Sequence, residues 1–292
     1  MSNTVDSLDL AEVLAHLKTC CATVYGQAQI SPTMLWLEGE VDITQSLQGT
    51  EETKLIIQRY GVPTIEETVW VDETVQRLKK QGVLQTVEQL AQLYTTLQAL
   101  QQLSVFLAAY ATATHTPVLF QIIQSIVPPT PVLSCIQTVL NPQGFLYPHA
   151  SPAYAGLQQQ VFGLKQRIQK AIQRMLRQAQ LLQCLQEPVP TEREGRTVLA
   201  VKAGYKNQVP GVVHDQSDSG LTLYIEPEAV VSLNSQLKLA QKALHTEELL
   251  ILKQLSVQLW PFATLIQTFI SQCTQLDVYL AKARQSLALN AH

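Results

Sequence analysis

A chain of 292 residues, 46% apolar and only 15% charged, is long enough for two domains and can bury a sizeable core. This excludes a disordered polymer, and a net charge of −3 excludes a chain that is basic throughout. The charge is uneven, however: Met1–Ala150 has 6 Lys and Arg against 13 Asp and Glu, Ser151–Asp215 has 9 against 4, and Gln216–His292 has 5 against 6. Cys20, Cys21, Cys135, Cys184 and Cys273 are scattered and form no CxxC pair, so they read as reduced core thiols of a cytoplasmic protein. The opening MSNTVDSLDLAEVL carries acids where a signal peptide needs bases and an apolar run, so no signal peptide is expected. The most apolar window, Leu103–Val127, is interrupted by His115, Pro117, Gln121 and Gln124. A membrane span needs about 20 mostly apolar residues, so buried helices and no membrane partner are expected.

In chain order, Asp9–Cys21, Glu51–Tyr60, Val69–Lys80, Val87–Tyr110 and Pro117–Ile126 place apolar residues at helical spacing. They predict an all-α domain over residues 1–150. Proline and glycine clusters punctuate it at Ser31-Pro32, Gly61 with Pro63, Val127–Pro131 and Asn141–Pro152. From Pro152 to Gln186 the pattern is uninterrupted, with Val161, Leu164, Ile168, Ala171, Met175, Gln178, Leu182 and Leu185 alternating by three and four as in a coiled-coil seam. Such a helix is on the order of 50 Å long. Arg167, Lys170, Arg174 and Arg177 lie off that seam, and Lys165 is a further cation of the arm.

A return helix is predicted to open at Pro227 and to run through Leu233, Leu237, Ala240, Leu244, Ile251 and Leu255 until Pro261 kinks or restarts it. A last helix covers Phe262–Leu289. Between the two long arms, Thr197–Lys202 reads as a strand, and Gly211–His214 with Leu221–Ile225 as a hairpin about the turn Asp215–Gly220. The fold class is therefore mainly α: a helical core over 1–150, then antiparallel arms over 151–292 carrying a small β-rich patch at about 193–226.

That patch carries long, specific words: RxGR at Arg193–Arg196, VxAVKAxYK at Val198–Lys206, VPGVVHDQS at Val209–Ser217 and SGLTLYIEPEAVVSLN at Ser219–Asn234. They closely resemble the clamp of the type-two branch of the MutS family, which lacks a mismatch-reading domain. Weaker likeness covers most of the chain, in GVL at Gly82–Leu84, ASP at Ala150–Pro152 and LDVYLAKAR at Leu276–Arg284. Tyr147-Pro148-His149 departs from the branch, which usually has an acidic residue before Ala-Ser-Pro. The resemblance implies the N-terminal core, lever and clamp of a longer protein that forms a homodimer, binds branched or duplex DNA without reading sequence, and restrains homologous recombination. It equally implies an alternative partner, the collided ribosome, which such a dimer grips and splits. A dimerisation scaffold whose clamps touch no nucleic acid is a third reading.

The chemistry of an enzyme is not legible here. No two glycines are five apart, so the phosphate-cradling GxxxxGK[ST] loop is missing. The ATP and Mg that the resemblance implies belong to the ATPase of the full-length protein, and its Smr nuclease has no counterpart. None of the six phenylalanines is followed two residues later by glutamate, so there is no mismatch wedge. His214 and Asp215 are adjacent in a strand and point to opposite faces, which suits a structural role. His115 and His149 beside prolines read as loop residues, and Cys20-Cys21 as a buried helical pair. No catalytic or metal-ligating residue is assigned. The candidate nucleic-acid contacts are Arg193, Arg196, Lys202 and Lys206 near the patch and Lys170, Arg174 and Arg177 on the arm. These can neutralise phosphates without reading bases, and Tyr205 beside Lys206 is a candidate for base stacking or for packing.

Overall fold

The computed structural model describes residues 10–32 and 40–291. Residues 1–9, with the predicted helix start at Asp9, lie outside the described residues. The protein is mainly helical with one small antiparallel sheet, and it divides into two compact units, Met1–Tyr147 with Leu252–His292, and Pro148–Ile251. The last helix, grouped with the arms on sequence, thus makes its contacts in the first unit.

The first unit contains α1 (Leu10–Cys20), α2 (Val24–Gln29), α3 (Glu40–Tyr60), α4 (Asp72–Lys79), α5 (Val87–Tyr110), α6 (Pro117–Ser125) and α7 (Thr130–Gln137), together with the last helix, α11 (Ala263–Ala288). Helix α11 is its spine. On one side Leu276, Tyr279, Leu280 and Ala283 pack with Ile56 and Ile57 of α3, Leu103 and Leu107 of α5 and Leu119 of α6. On another, Ala281 packs with Leu14, Leu17, Cys20 and Ile30. Residues Leu276–Ala281 are buried on every side of the helix, which is the setting of a core helix. Length and apolarity alone would let part of Glu228–Ala288 cross a membrane, but Phe269, Cys273, Leu276 and Leu280 are buried in this unit.

Helix α5 has the predicted bounds, and Thr86 caps it by accepting a hydrogen bond from the Gln89 N–H at 3.1 Å. Helix α3 begins eleven residues earlier than Glu51, at Glu40. Val41, Ile43 and Leu47 in those added turns are exposed, so no buried stripe marks them in the sequence. Helix α4 starts later than Val69, because the Val69 N–H donates to Thr96 Oγ1 and the Val71 N–H to the Tyr25 hydroxyl, partners outside the helix. Helix α7 lies in the proline cluster, where Pro131 in the first turn needs no N–H. Cys20, Cys21, Cys184 and Cys273 are buried free thiols, whereas Cys135 is only half-buried, its thiol 2.9 Å from Gln258 Oε1.

One buried carboxylate ties the spine to the start of the chain. Asp277 accepts from the N–H groups of Ala22 and Thr23 at 2.8 and 2.9 Å and from the Thr23 hydroxyl at 2.6 Å. Thr23 in turn caps α2 by accepting from the Gly26 N–H at 3.0 Å. Gly26 must be glycine, since a Cβ there would collide with the Asp277 carboxylate. Burial pushes the Asp277 carboxyl up, and the hydrogen bonds oppose it.

The second unit contains α8 (Pro152–Leu176), α9 (Ala179–Cys184), strands β1 (Leu185–Arg193), β2 (Arg196–Lys202), β3 (Gly211–Gln216) and β4 (Thr222–Pro227), and most of α10 (Glu228–Leu259). Ser151 caps α8, its Oγ accepting from the Tyr154 N–H at 3.0 Å. The single helix expected over 152–186 is corrected: α8 ends at Leu176, Gln178 is extended, and α9 leads directly into β1. The buried series Leu164, Ile168, Ile172 steps by four, then passes through the partly buried Leu176 to Leu181 by five. A five-residue step leaves the face of a straight helix, so the break restores Leu181 and Cys184 to the core.

The sheet order is β1-β2-β4-β3, antiparallel throughout. Strands β2, β3 and β4 match the predicted strand and hairpin. Strand β1 was not expected, since Pro188 and Pro190 interrupt any β pattern, but it is an edge strand and proline is tolerated there. Its pairing with β2 is irregular between Leu185 and Pro190. Glu194 and Gly195, both at positive φ (50° and 75°), form the two-residue turn that joins them. Pro227 closes β4 rather than opening the helix, and α10 starts one residue later. Pro261 sits in the short 3-10 turn Trp260–Phe262 between α10 and α11, where a kink or restart was expected. Leu199, Val201 and Ile225 from the sheet, Ile168 and Ile172 from α8, and Val230, Leu237 and Ala240 from α10 share one core.

Replacing Asp277 with Ala strands three donors in the interior of the first unit, two N–H groups and a hydroxyl. The expected loss is about 3 kcal/mol, read as a lower urea midpoint with an unchanged denaturant slope. An unaltered midpoint would show that the Asp277 anchor contributes nothing.

Candidate nucleic-acid interface

Helix α8 turns Leu164, Ile168 and Ile172 inward, which leaves Arg167, Lys170, Arg174 and Arg177 exposed. Their spacing of three, four and three residues puts them on one face, along roughly 15 Å of helix. Among the described residues none of the four has an ion-pair or hydrogen-bond partner. The run Pro152–Gln186 has five Lys and Arg and no Asp or Glu. A helix that merely faces water gains from mixing both signs at i,i+4, so an acid-free surface is suited to an anionic partner. That signal was present in the sequence but was diluted in the charge count of the whole middle segment.

The cations of the sheet are placed differently. Glu226 on β4 is 1% exposed, and four contacts from three side chains hold it. Arg196 Nη1 donates at 2.9 and 3.1 Å, Asn234 Nδ2 donates at 2.7 Å, and His214 Nε2 lies 2.6 Å from Oε2. Asn234 also holds β2 through the Thr197 backbone, accepting from its N–H at 3.3 Å and donating to its carbonyl at 3.1 Å. Burial pushes the Glu226 carboxyl up, but the hydrogen bonds from Asn234, His214 and Arg196, with the Arg196 charge, outweigh it and hold the group below its ordinary value of 4.5. Arg193 stacks 4.1 Å over the Tyr224 ring and pairs with Asp215 at 3.3 Å.

Arg196 and Arg193 are therefore committed within the sheet. Lys202 donates to the Gln183 carbonyl at 3.2 Å, and Lys206 is exposed with Tyr205 on the 3-10 turn Ala203–Gln208. The expected alternation of His214 and Asp215 does not hold, because β3 is bulged between Val213 and Asp215; the two nonetheless form no pair, His214 lying 2.6 Å from Glu226 and Asp215 pairing with Arg193 and accepting from the Gln216 N–H at 2.8 Å. Gly211 gives β3 close access to β4, since a Cβ there would collide with the Glu226 carbonyl. Among the described residues no group of three or more His, Cys, Asp or Glu is placed to hold a metal ion. Beside the acid-free helix, α8, β1 and α10 enclose a cleft of about 630 Å³ lined by Lys165, Ile172, Val189, Glu192 and Leu237 among others.

The arrangement defines a protein with a sheet pinned by a buried ion network and a helix bearing uncompensated cations. No family model matches the chain. Curated relatives do: it is 32% identical over 259 residues to the Endonuclease MutS2 of Synechocystis sp., covering 84% of this chain and 30% of that protein. It is 30% identical over 285 residues to the Endonuclease MutS2 of Pelotomaculum thermopropionicum, covering 97% and 36%, and 30% identical over 263 residues to that of Lacticaseibacillus paracasei, covering 90% and 33%. The chain belongs to the MutS2 family, as the resemblance of its sequence words implied. It spans about a third of the length of these relatives.

Because Glu226 titrates below its ordinary value, the stability it gives is present above pH 4.5 and is lost as the pH falls through its folded value. Glu226→Gln is expected to cost about 3 kcal/mol at neutral pH. The gap between parent and variant in urea unfolding should narrow as the pH is lowered past 4.5. A gap that stays constant with pH would contradict this role for the charge.

Proposed function

We propose that this chain is the clamp-and-lever part of a MutS2-type protein, which grips branched or duplex DNA through its phosphates and suppresses homologous recombination. The observation that carries the reading is the exposed, unpaired and acid-free cation stripe of α8. Its relatives are named endonucleases, and no catalytic residue is assigned to this chain. In the full-length protein, which acts as a cytoplasmic homodimer, an ATPase that uses ATP and Mg drives the levers, and a nuclease domain cuts. The arms α8 and α10 act as levers and the four-stranded sheet as the clamp. Arg193 and Arg196 keep the clamp's shape, while Lys170, Arg174 and Arg177, with Lys202 and Lys206, meet phosphates.

Phosphate contacts give affinity that falls with salt and ignores sequence. Alanine at Lys170, Arg174 and Arg177 together should lower the slope of log K against log salt by about three units on duplex DNA. Fluorescence anisotropy with junction and duplex DNA over a salt series measures this, with reversal of Lys202 and Lys206 to Glu as a second variant. Curves that neither variant moves would remove the contact. Binding to purified ribosomes with none to DNA at any salt would instead favour the ribosome-rescue alternative. A dimer in light scattering that binds neither would favour a scaffold.

A further inference from the structure

Phe162 is 64% exposed on α8, within a surface otherwise made of Gln, Lys, Arg and Gly. It stands four residues before Gln166 and eight before Lys170, both exposed, so it lies along the edge of the cation stripe. A single exposed apolar residue is ordinary on a protein surface, but the setting of this one is not. Gly156 and Gly163 lie on the face that Arg167 and Arg174 continue, and nothing stands within 4 Å of where either Cβ would be. Glycine weakens a helix interior, and neither of these two serves packing inside the unit. The helix therefore presents two bare glycine positions near an aromatic ring, followed by cations that have no partner among the described residues.

A second copy of this chain is a poor occupant for that surface. Apposing two such faces would bring together cations with no acid anywhere in Pro152–Gln186 to meet them. A polyanion that also offers flat apolar rings meets every part of it. We propose that Phe162 is a stacking contact for an unpaired base, with the bare glycine positions admitting the strand and Lys170, Arg174 and Arg177 taking its phosphates. The occupant is then a single-stranded segment of DNA, such as a flap or a junction arm. This rests on the proposed phosphate-binding role of α8 and adds to it the substrate class, since a closed duplex hides its base faces while an unpaired strand offers them.

The experiment uses the whole 292-residue chain with three DNA probes: a single strand, a junction with an unpaired arm, and a blunt duplex. Each carries 2-aminopurine, in the unpaired segment of the first two, as a fluorescent reporter of stacking. The parent is expected to change the 2-aminopurine signal of the single strand and the junction on binding. Phe162→Ala should abolish that change and weaken both complexes by roughly tenfold, while duplex affinity stays within about twofold. Phe162→Trp should keep the signal, and Phe162→Leu, which keeps apolar bulk without a ring, should lose it. Equal binding and equal signal for parent and Phe162→Ala would overturn the proposal, with the phosphate reading intact. Binding by the parent to none of the probes would defeat both. A parent dimer that Phe162→Ala turns into a monomer in light scattering would make Phe162 a self-association contact, and tighter binding to single-stranded RNA than to DNA would overturn the choice of DNA.

Discussion

Glu226 carries a charge in a place that water does not reach, and the second unit is assembled so that this charge stays hydrogen-bonded. Its partners come from separate elements: Arg196 from the start of β2, His214 from β3 and Asn234 from α10. Removing any one leaves a buried carboxylate short of a donor, which costs far more than the pair contributes net. Asn234 adds a second lock, because the amide that donates to Glu226 also pairs both ways with the Thr197 backbone. Strand β4 ends at Pro227 and α10 starts at Glu228, so the strand and the helix are joined without a loop next to this network.

This network divides the cations of the basic segment by role. Arg196 donates into the interior, and Arg193 is held between the Tyr224 ring and Asp215. Each forms a charge-neutral arrangement with a carboxylate, and an anion approaching from outside would have to compete with it. On α8 no carboxylate is near enough in sequence to do the same, and the charges remain open. Position in sequence and type of residue are alike in the two groups. What separates them is the acid at 226, which becomes the neighbour of residue 196 only when β2 and β4 pair.

That distinction marks where sequence reasoning ran out. Helical periodicity found α5, whose buried residues recur every three or four positions, and a β-branched, apolar run found β2. Sequence reasoning found the hairpin of β3 and β4 from the turn-rich residues between them. It missed β1, whose prolines are permitted by an edge position that no local pattern reveals, and it overran the end of α8, where the core needed a five-residue step. It could not see that half of α3 is helical with no core to face, since an exposed helix leaves no stripe. For the site, residue type supplied the right inventory of cations but not their states. The missing acids of Pro152–Gln186 were legible, whereas the engagement of Arg196 depended on a contact 30 residues away.

On the proposed reading, two kinds of recognition follow from the surfaces that remain. Cations spaced along a helix neutralise phosphates whatever the bases are, and an aromatic ring stacks on any base it can reach. Neither reads a donor or acceptor pattern on a base edge, which would require side chains such as Asn or Arg directed into a groove by a rigid frame. The two arginines best held by the frame, Arg193 and Arg196, are occupied by its own carboxylates. A protein built this way has little means of choosing a sequence. It can choose a strand geometry, because phosphates are offered by every nucleic acid, but a base face is offered only where the stack is open. On the proposed reading, selectivity for branched DNA then needs no dedicated sensor of the branch: it arises from the sum of a uniform electrostatic attraction and one contact that paired bases cannot make.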